Sequence, residues 1–280
     1  MVKIKIVTDS TVDLSDEDLQ KYNIHAVPLS ISIDGEHFLD RVNITPSEFM
    51  RKMKNSKELP KSSQPPVGEF LKVYDQYAEE GYEIVSIHMT GGMSGTVGSA
   101  EAAAGMTKAN VKVIDSRFIS KALSFQVIEA AKMAKQGKEM AEIISKITEI
   151  RQQSQLYVVV NTLENLVKGG RIGKGKAMIG SLLNIKPIAS LEDGVYNPVS
   201  KARSHSQVVK YLAHKFADDA KGKIIKGVGL VHADGYELAE KLKTAIIELT
   251  GYQDIDIQET TPIVSTHTGP GAIGFMYYLD

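Results

Sequence analysis

A glycine-rich segment that carries two hydroxyl side chains, Thr-Gly-Gly-Met-Ser-Gly-Thr at residues 90–96, lies between a predicted strand and a predicted helix. Glycines let backbone N–H groups approach an anion closely, and the start of a helix adds free N–H groups and the positive end of its dipole. Ser94 and Thr96 add hydroxyl donors on either side of Gly95. The segment therefore predicts a site for a carboxylate or a phosphate, with a tight turn capped by Thr96 as the structural alternative.

Two other polar segments carry side chains that could bind an anion. Residues 266–271, Thr-His-Thr-Gly-Pro-Gly, place His267 between two threonines in a predicted loop. Ser62, Ser63 and Gln64 supply two hydroxyls and an amide ahead of a proline-started helix, although helix capping alone would explain them. The six remaining histidines show no His-x-x-x-His spacing, so the sequence predicts no metal site.

A basic, glycine-rich segment at residues 168–177 partly matches the ATP-binding P-loop. Gly170 to Lys176 matches the first seven positions of that motif, but Ala177 lacks the hydroxyl that would hold magnesium, and no strand leads into the glycines. A P-loop is therefore excluded. We predict a mobile basic loop, which meets an anionic head group or an acidic partner surface, or else a solvated linker.

Ser94 also has to be considered as a nucleophile. A nucleophile elbow requires Gly-x-Ser-x-Gly, and Thr96 stands where its second glycine belongs. Ser94 and His267 could still form a Ser–His pair in space, with Asp9 or Asp115 as the third member. Each aspartate ends a predicted strand and precedes a serine, which is a common turn and capping arrangement. We interpret both aspartates as structural and keep a serine-dependent hydrolase of a lipid-like ester as the alternative function.

The secondary structure that must position these residues is predicted to differ between the two halves of the chain. Strands alternate with helices in the first half, which predicts a doubly wound parallel sheet. In the second half, apolar stretches at 186–191 and 195–202 flank a hairpin signal, Asp193-Gly194, and a strand–helix–strand pattern follows. We therefore predict an α/β protein with two lobes, a parallel one at 1–155 and an α+β one with a mixed sheet at 156–280. The strand at 156–160 fits either lobe.

Composition narrows the class of protein further. The absence of cysteine excludes disulfides, thiolate metal sites and a cysteine nucleophile. A net charge of −1 gives no general attraction to nucleic acid, and the apolar runs are too short to cross a bilayer. No signal-peptide pattern opens the chain. We expect a cytoplasmic protein that makes at most transient contact with membranes.

Six segments in consistent order, spread over essentially the whole chain, resemble the DegV family. They are Thr8-Asp9-Ser10-Thr11, Ser62-Ser63-Gln64-Pro65, Ser94-Gly95-Thr96, Asp115-Ser116, Gly169-Gly170-Arg171-Ile172 and the segment from Thr266 to Gly271.

This resemblance implies two α/β lobes with a long-chain fatty acid buried between them. Members of this kind serve as the fatty-acid-binding subunit of bacterial fatty acid kinase. A separate ATP-dependent kinase subunit phosphorylates the carboxylate, and an acyltransferase passes the acyl phosphate on to phospholipid synthesis. The resemblance implies no cofactor and no catalytic residue in this chain. A carrier of another hydrophobic acid, with a different partner, is a further alternative.

The resemblance also assigns roles to individual residues. Ser62, Ser94 and His267 would bind the carboxylate, and Ser62 stands where the family usually has threonine. Arg171 and Arg203 would contact the kinase or the phosphoryl group. Ser63, Gly95 and Thr96 are weaker ligand-binding candidates.

Overall fold

A computed structural model describes residues 3–178 and 185–280 of the chain and shows a mixed α/β fold. The first part consists of β1 (Lys3–Asp9), a 3-10 helix (Ser10–Val12), α1 (Asp16–Lys21), β2 (Ile24–Val27), β3 (Ser30–Ile33), β4 (Glu36–Leu39), α2 (Pro46–Asn55), β5 (Lys61–Ser63), α3 (Val67–Glu79), β6 (Tyr82–His88), α4 (Thr96–Met106), β7 (Val111–Asp115), α5 (Ser120–Lys135) and α6 (Met140–Gln153). The second part consists of β8 (Ser154–Val159), α7 (Glu164–Lys168), a second 3-10 helix (Gly173–Met178), β9 (Lys186–Glu192), β10 (Val195–Ala202), α8 (His205–Ala220), β11 (Ile225–Ala233), α9 (Tyr236–Thr250), β12 (Asp256–Glu259), α10 (Pro262–Thr268) and β13 (Ala272–Leu279).

The first sheet is parallel and has the order β2-β1-β6-β7. Adjacent residues of β1 point to opposite faces: Ile6 packs with Leu123 of α5, whereas Val7 packs with Phe70 of α3. Helices therefore cover both faces, as the alternating pattern of strands and helices predicts. The carboxyl ends of β1, β6 and β7 lie along one edge of this sheet, where the polar segments after β1 and β6 begin.

The second sheet is mixed and has the order β10-β9-β8-β13-β11-β12. The hairpin signal is confirmed, because β9 and β10 pair antiparallel across Asp193-Gly194. The strand that fitted either lobe lies in this sheet, since β8 pairs with β9 and β13. Helices α8 and α9 pack on one face of the sheet, and α5 contacts both sheets. A domain boundary near residue 155 stays a prediction.

A third, three-stranded antiparallel sheet with the order β4-β3-β5 was not predicted. Ser62 pairs with Ile31 in this sheet, so the interpretation of residues 61–66 as a helix-capping segment is wrong; α3 instead starts after Pro66 without a side-chain cap. Strands of three or four residues are too short for an alternating pattern to reveal. The sheet lies beside α10 and forms one wall of the space between the two larger sheets.

Helix α10 stands where a polar loop was predicted, so that prediction is wrong. Thr261 caps it by accepting a hydrogen bond from the Val264 N–H, and Pro262 occupies its first turn. Threonine and other β-branched residues have modest helix propensity, which hides so short a helix. The adjacent Thr-Pro pair is nevertheless the same start signal that predicts α2 at Thr45-Pro46.

The basic segment contains helical turns at both ends. Lys168 ends α7, and Gly173–Met178 forms the second 3-10 helix. Gly173 and Gly175 lie against Tyr196 of β10, where a Cβ on either would come within 3 Å of that residue.

Candidate functional site

A cavity lies between the parallel sheet, the mixed sheet and the small sheet. The empty space enclosed by its lining is about 660 Å³, a volume that includes solvent at the open mouth. One end is polar and the remainder is apolar. Its lining residues are Leu29, Ser62, Gln64, Met89, Met93, Ser94, Ile119, Val158, Leu166, Arg171, Leu191, Tyr196, Ile263, Val264, His267 and Thr268.

His267 and Ser62 meet in this cavity although 205 positions separate them in the chain. The imidazole Nε2 of His267, on α10, lies 2.7 Å from the hydroxyl oxygen of Ser62, on β5. Burial, together with the nearby charge of Arg171, lowers the pKa of His267 to about 4. The imidazole is therefore neutral near pH 7 and keeps one donor and one acceptor nitrogen. Its Nδ1 atom is buried, lies against Gly169 and has no hydrogen-bond partner among the described residues.

Ser94 lies at the end of the loop that leads from β6 into α4. Its hydroxyl is 2.8 Å from the Thr96 hydroxyl and accepts a hydrogen bond from the Thr96 N–H. The N-cap residue of α4 is Gly95, with no side-chain cap, so the interpretation of Thr96 as the cap is wrong. Gly95 packs against the amide of Gln64, where a Cβ would overlap that amide. The loop thus brings a hydroxyl and a helix start to the cavity's polar end.

Arg171 supplies a positive charge to the same end of the cavity. Its Nε atom donates to the Met93 carbonyl at 2.9 Å, and its Nη1 atom donates to the Gly169 carbonyl. Burial lowers the pKa of this guanidinium, and within the described part of the chain no acidic side chain pairs with it. A partly buried cation without a counter-ion favours an anionic ligand, because burying an unpaired charge is costly.

The other candidates do not reach the cavity. Ser63 is exposed and, as the next residue on β5, points away from the face that carries Ser62. Gly95 and Thr96 support the loop from outside the lining, and Thr96 is fully buried. Arg203 is exposed beyond the end of β10, where its backbone N–H donates to the Gln207 side chain.

The pairing required for a serine hydrolase does not form. His267 bonds to Ser62 rather than to Ser94, and neither Asp9 nor Asp115 contacts it. Asp115 instead accepts from the Gly91 and Arg117 N–H groups, and so stabilises the turns after β6 and β7.

A hydrogen-bonded Ser–His–Asp triad does exist elsewhere in the protein. The His88 Nε2 atom lies 2.7 Å from the Ser86 hydroxyl, and its Nδ1 atom lies 3.2 Å from Asp9. All three side chains are completely buried in the parallel sheet, so no substrate can reach them. We interpret this triad as a structural network, because Asp9 also accepts hydrogen bonds from the Met89 N–H and from the Thr11 N–H and hydroxyl.

Sequence reasoning missed most of the apolar lining and one polar residue, Tyr196. The ring of Tyr196 is buried in the cavity wall, and its hydroxyl has no partner among the described residues. Burial raises the pKa of this hydroxyl well above its usual range, so it stays protonated. Nothing in the local pattern around Tyr196 distinguishes it from an ordinary core residue of a strand.

Two features are absent from the residues that the structure describes, 3–178 and 185–280. No three His, Asp or Glu side chains there come close enough together to hold a metal ion. None of the helices described is both long enough and apolar enough to span a bilayer.

Comparisons with known proteins agree over the full length of the chain. The family described as "Uncharacterised protein, DegV family" matches residues 3–280. DegV domain-containing protein lmo1863 of Listeria monocytogenes is 45% identical over 281 residues and covers 100% of both chains. DegV domain-containing protein SA1258 of Staphylococcus aureus is 42% identical over 276 residues, which is 99% of each chain.

Solved structures match the fold equally well. A DegV family protein from Thermus thermophilus, described by its fatty acid binding, has a TM-score of 0.92 at 30% identity over 99% of each chain. DegV of Bacillus subtilis, a fatty acid binding protein, has a TM-score of 0.90 at 30% identity over 100% of each chain. A stearic acid-binding protein from Eubacterium ventriosum has a TM-score of 0.85 at 26% identity over 98% of each chain.

Proposed function

Because this chain belongs to the DegV family, we propose that it binds a long-chain fatty acid in the cavity between its sheets. Three similar structures of the same fold are those of proteins described as binding fatty acids. The observation that carries the proposal is the chemical division of the cavity. Ser62, Ser94, His267 and Arg171 gather at one end, and apolar side chains line the rest.

This division fits a fatty acid better than it fits a polar metabolite. The carboxylate requires several donors in a buried site, and two hydroxyls, an imidazole and an uncompensated guanidinium are available. The tail requires only apolar contact, and each buried methylene contributes about 0.8 kcal/mol. A neutral His267 is compatible with this role, because Nδ1 or Nε2 can donate depending on the tautomer.

We further propose that the bound carboxylate is presented to a separate kinase subunit and that the acyl phosphate feeds an acyltransferase in the cytoplasm. This step rests on the resemblance of all six segments to the DegV family, members of which serve as the fatty-acid-binding subunit of fatty acid kinase. Arg203 is exposed and makes no contact with the cavity, which suits a residue that touches a partner.

The ligand class is tested first by mass spectrometry of a solvent extract from protein purified without delipidation. A long-chain fatty acid in a one-to-one ratio with the chain would support the proposal and identify the bound species. A different hydrophobic acid would keep the carrier role and change the ligand. An empty protein that also fails to bind added fatty acid would overturn the proposal.

Ser62→Ala tests the carboxylate site with a matched neighbour as its control. We expect palmitate affinity to fall about tenfold, because the variant removes a hydroxyl donor and the group that orients His267. Ser63→Ala should bind palmitate normally, since Ser63 is exposed on the other face of the same strand. Titration of the delipidated proteins measures both, and equal affinities in the two variants would remove Ser62 from the site.

Arg203→Ala tests the step that involves the partner. Palmitate binding should remain within about twofold of the original, because exposed charges outside a cavity contribute little to the stability of a bound tail. Formation of acyl phosphate in the presence of kinase subunit and ATP should fall. Loss of lipid binding itself would show that Arg203 does not act through the partner.

A further inference from the structure

A second, smaller cavity adjoins the first. Both cavities are lined by Ile119, Val158, Val264 and Thr268, so the two cavities meet at these four residues. The second cavity continues over the mixed sheet, past Leu156, Gly274 and Met276, to Val231. We refer to these two adjacent cavities together as the chamber.

The floor of this chamber includes a straight row across the mixed sheet. Val158 pairs with Gly274, and Gly274 pairs with Val231. Directly paired residues share a face of a sheet, so these three positions line up at right angles to the strands. Two strand spacings make the row about 10 Å long. A long acyl chain laid along it would cross β8, β13 and β11 in turn.

The two ends of the chamber differ in the hydrogen-bonding groups that they offer. The donors proposed for the carboxylate all lie in the first cavity. In the second cavity the hydroxyls of Ser120 and Thr260 are already bonded to the buried carboxylate of Asp13. His232 lines this cavity too, but its ring packs edge-on against Tyr236 of α9, on the opposite face of the sheet. The second cavity thus suits the methyl end of a chain.

Gly274 is the smallest residue of the floor, and its position in the middle of a strand is unfavourable for glycine. Glycine inside a strand loses backbone entropy and packs nothing, and it often marks a place where a ligand approaches closely. A Cβ at Gly274 would lie 2.9 Å from Cγ2 of Val231 and 3.4 Å from Sδ of Met276. A side chain at this position would therefore displace the side chain of Val231, which lines the second cavity.

We propose that Gly274 determines the longest acyl chain that the protein accepts, by leaving the second cavity open to the end of the tail. The proposal rests on the proposed fatty-acid function and adds to it a ligand class, acids whose tails extend beyond β13. It also assigns opposite effects to the two residues at the far end. Filling position 274 shortens the accommodated tail, and trimming Val231 lengthens it.

The test is a chain-length series of decanoate, palmitate and arachidate, titrated into delipidated protein. Each methylene that loses its apolar contact weakens binding about fourfold. Gly274→Val should therefore weaken palmitate binding by about tenfold or more and leave decanoate within about twofold of the original. Val231→Ala should improve arachidate relative to palmitate by several-fold.

Val159→Ala serves as the matched control. Val159 is as deeply buried as Val231, but it packs with the cluster under α8 and α9, on the face away from the chamber. Val159→Ala should weaken core packing without changing the chamber. The ratio of palmitate affinity to decanoate affinity should therefore equal that of the original protein.

The outcomes separate this proposal from the proposed function. An unchanged length preference in both Gly274→Val and Val231→Ala, or an equal loss for every acid, would overturn the role of Gly274 while the fatty-acid function stands. If Gly274→Val does not fold, Val231→Ala decides alone. Failure of the unaltered protein to bind any of the three acids would instead overturn the fatty-acid function, and the role of Gly274 with it.

Discussion

His267 is held from two sides, by the Ser62 hydroxyl at Nε2 and by the backbone of Gly169 against Nδ1. Gly169 has an ordinary φ, so the requirement for glycine there comes from the space that the ring occupies. This explains why the basic glycine segment and the histidine segment, nearly one hundred positions apart, act at one place. A side chain at 169 would move the imidazole without removing any polar atom from the site.

Gly169→Ala should therefore weaken palmitate binding about tenfold, because the imidazole must leave its position beside Ser62. Gly98→Ala is the matched control, since a Cβ on that exposed glycine of α4 meets nothing within 4 Å. Calorimetric titration of both delipidated variants measures the effect. Unchanged affinity in Gly169→Ala would mean that the position of the ring is unimportant for binding.

At the scale of elements, the start of α10 is anchored by a buried carboxylate. Asp13 accepts hydrogen bonds from the Thr260 hydroxyl and the Thr261 N–H. A second buried carboxylate, Asp40, accepts from the Ser10 hydroxyl and lies near Asp13. Burial raises the pKa of both groups, and together with the nearby charge of Asp13 it raises that of Asp40 to about 7. Asp13 therefore attaches the helix that carries His267 to the first part of the chain, and burial favours the protonated form of both carboxylates.

The raised pKa of the buried Asp40 carboxyl predicts a dependence of stability on pH. The folded-state pKa of Asp40, about 7, lies above its unfolded value, so its contribution to stability is complete below the unfolded pKa and is lost as pH rises through 7. Between pH 5 and 7.5 the free energy of unfolding should fall more steeply, by on the order of 1–3 kcal/mol, in the original protein than in Asp40→Asn. Urea unfolding across that window measures the difference. Parallel pH profiles would show that Asp40 is already ionised at pH 5.

At the scale of the whole molecule, the hairpin of the mixed sheet closes over the loop that carries Ser94. The Thr90 hydroxyl donates to the Gly194 carbonyl at 2.9 Å, and a Cβ on Gly92 would lie 2.7 Å from the same oxygen. Arg117 and Asp193 form an ion pair beside it, with both side chains more than half exposed. The buried hydrogen bond, more than the exposed ion pair, should hold the two sheets together at the cavity.

Thr90→Val removes that hydroxyl and keeps the shape of the side chain. It should lower the free energy of unfolding by about 1–2 kcal/mol, because the Gly194 carbonyl loses its buried donor, and it should speed the release of bound palmitate. Arg117→Ala should change either quantity little. Urea unfolding and stopped-flow displacement of a fluorescent fatty acid measure the two effects. Equal effects of the two variants would contradict this ranking.

The sequence by itself determined the kinds of element and the chemistry of most candidate residues. The Thr45-Pro46 start signal predicts α2, regular apolar spacing predicts α3, and Asp193-Gly194 predicts the hairpin, because these signals act between residues close in the chain. The order of the motifs indicated the family. These properties depend on residues that are close in the chain, so they can be predicted from the sequence pattern.

Only the tertiary structure decided which of these residues act together. It joined Ser62 to His267, placed Arg171 at the cavity's polar end with no acidic partner among the described residues, and turned Ser63 away. It also placed Gly274 in the floor of the chamber. A cavity forms where elements that are distant in the chain fail to fill space. Its lining therefore depends on packing between sheets, which spacing along one segment does not specify.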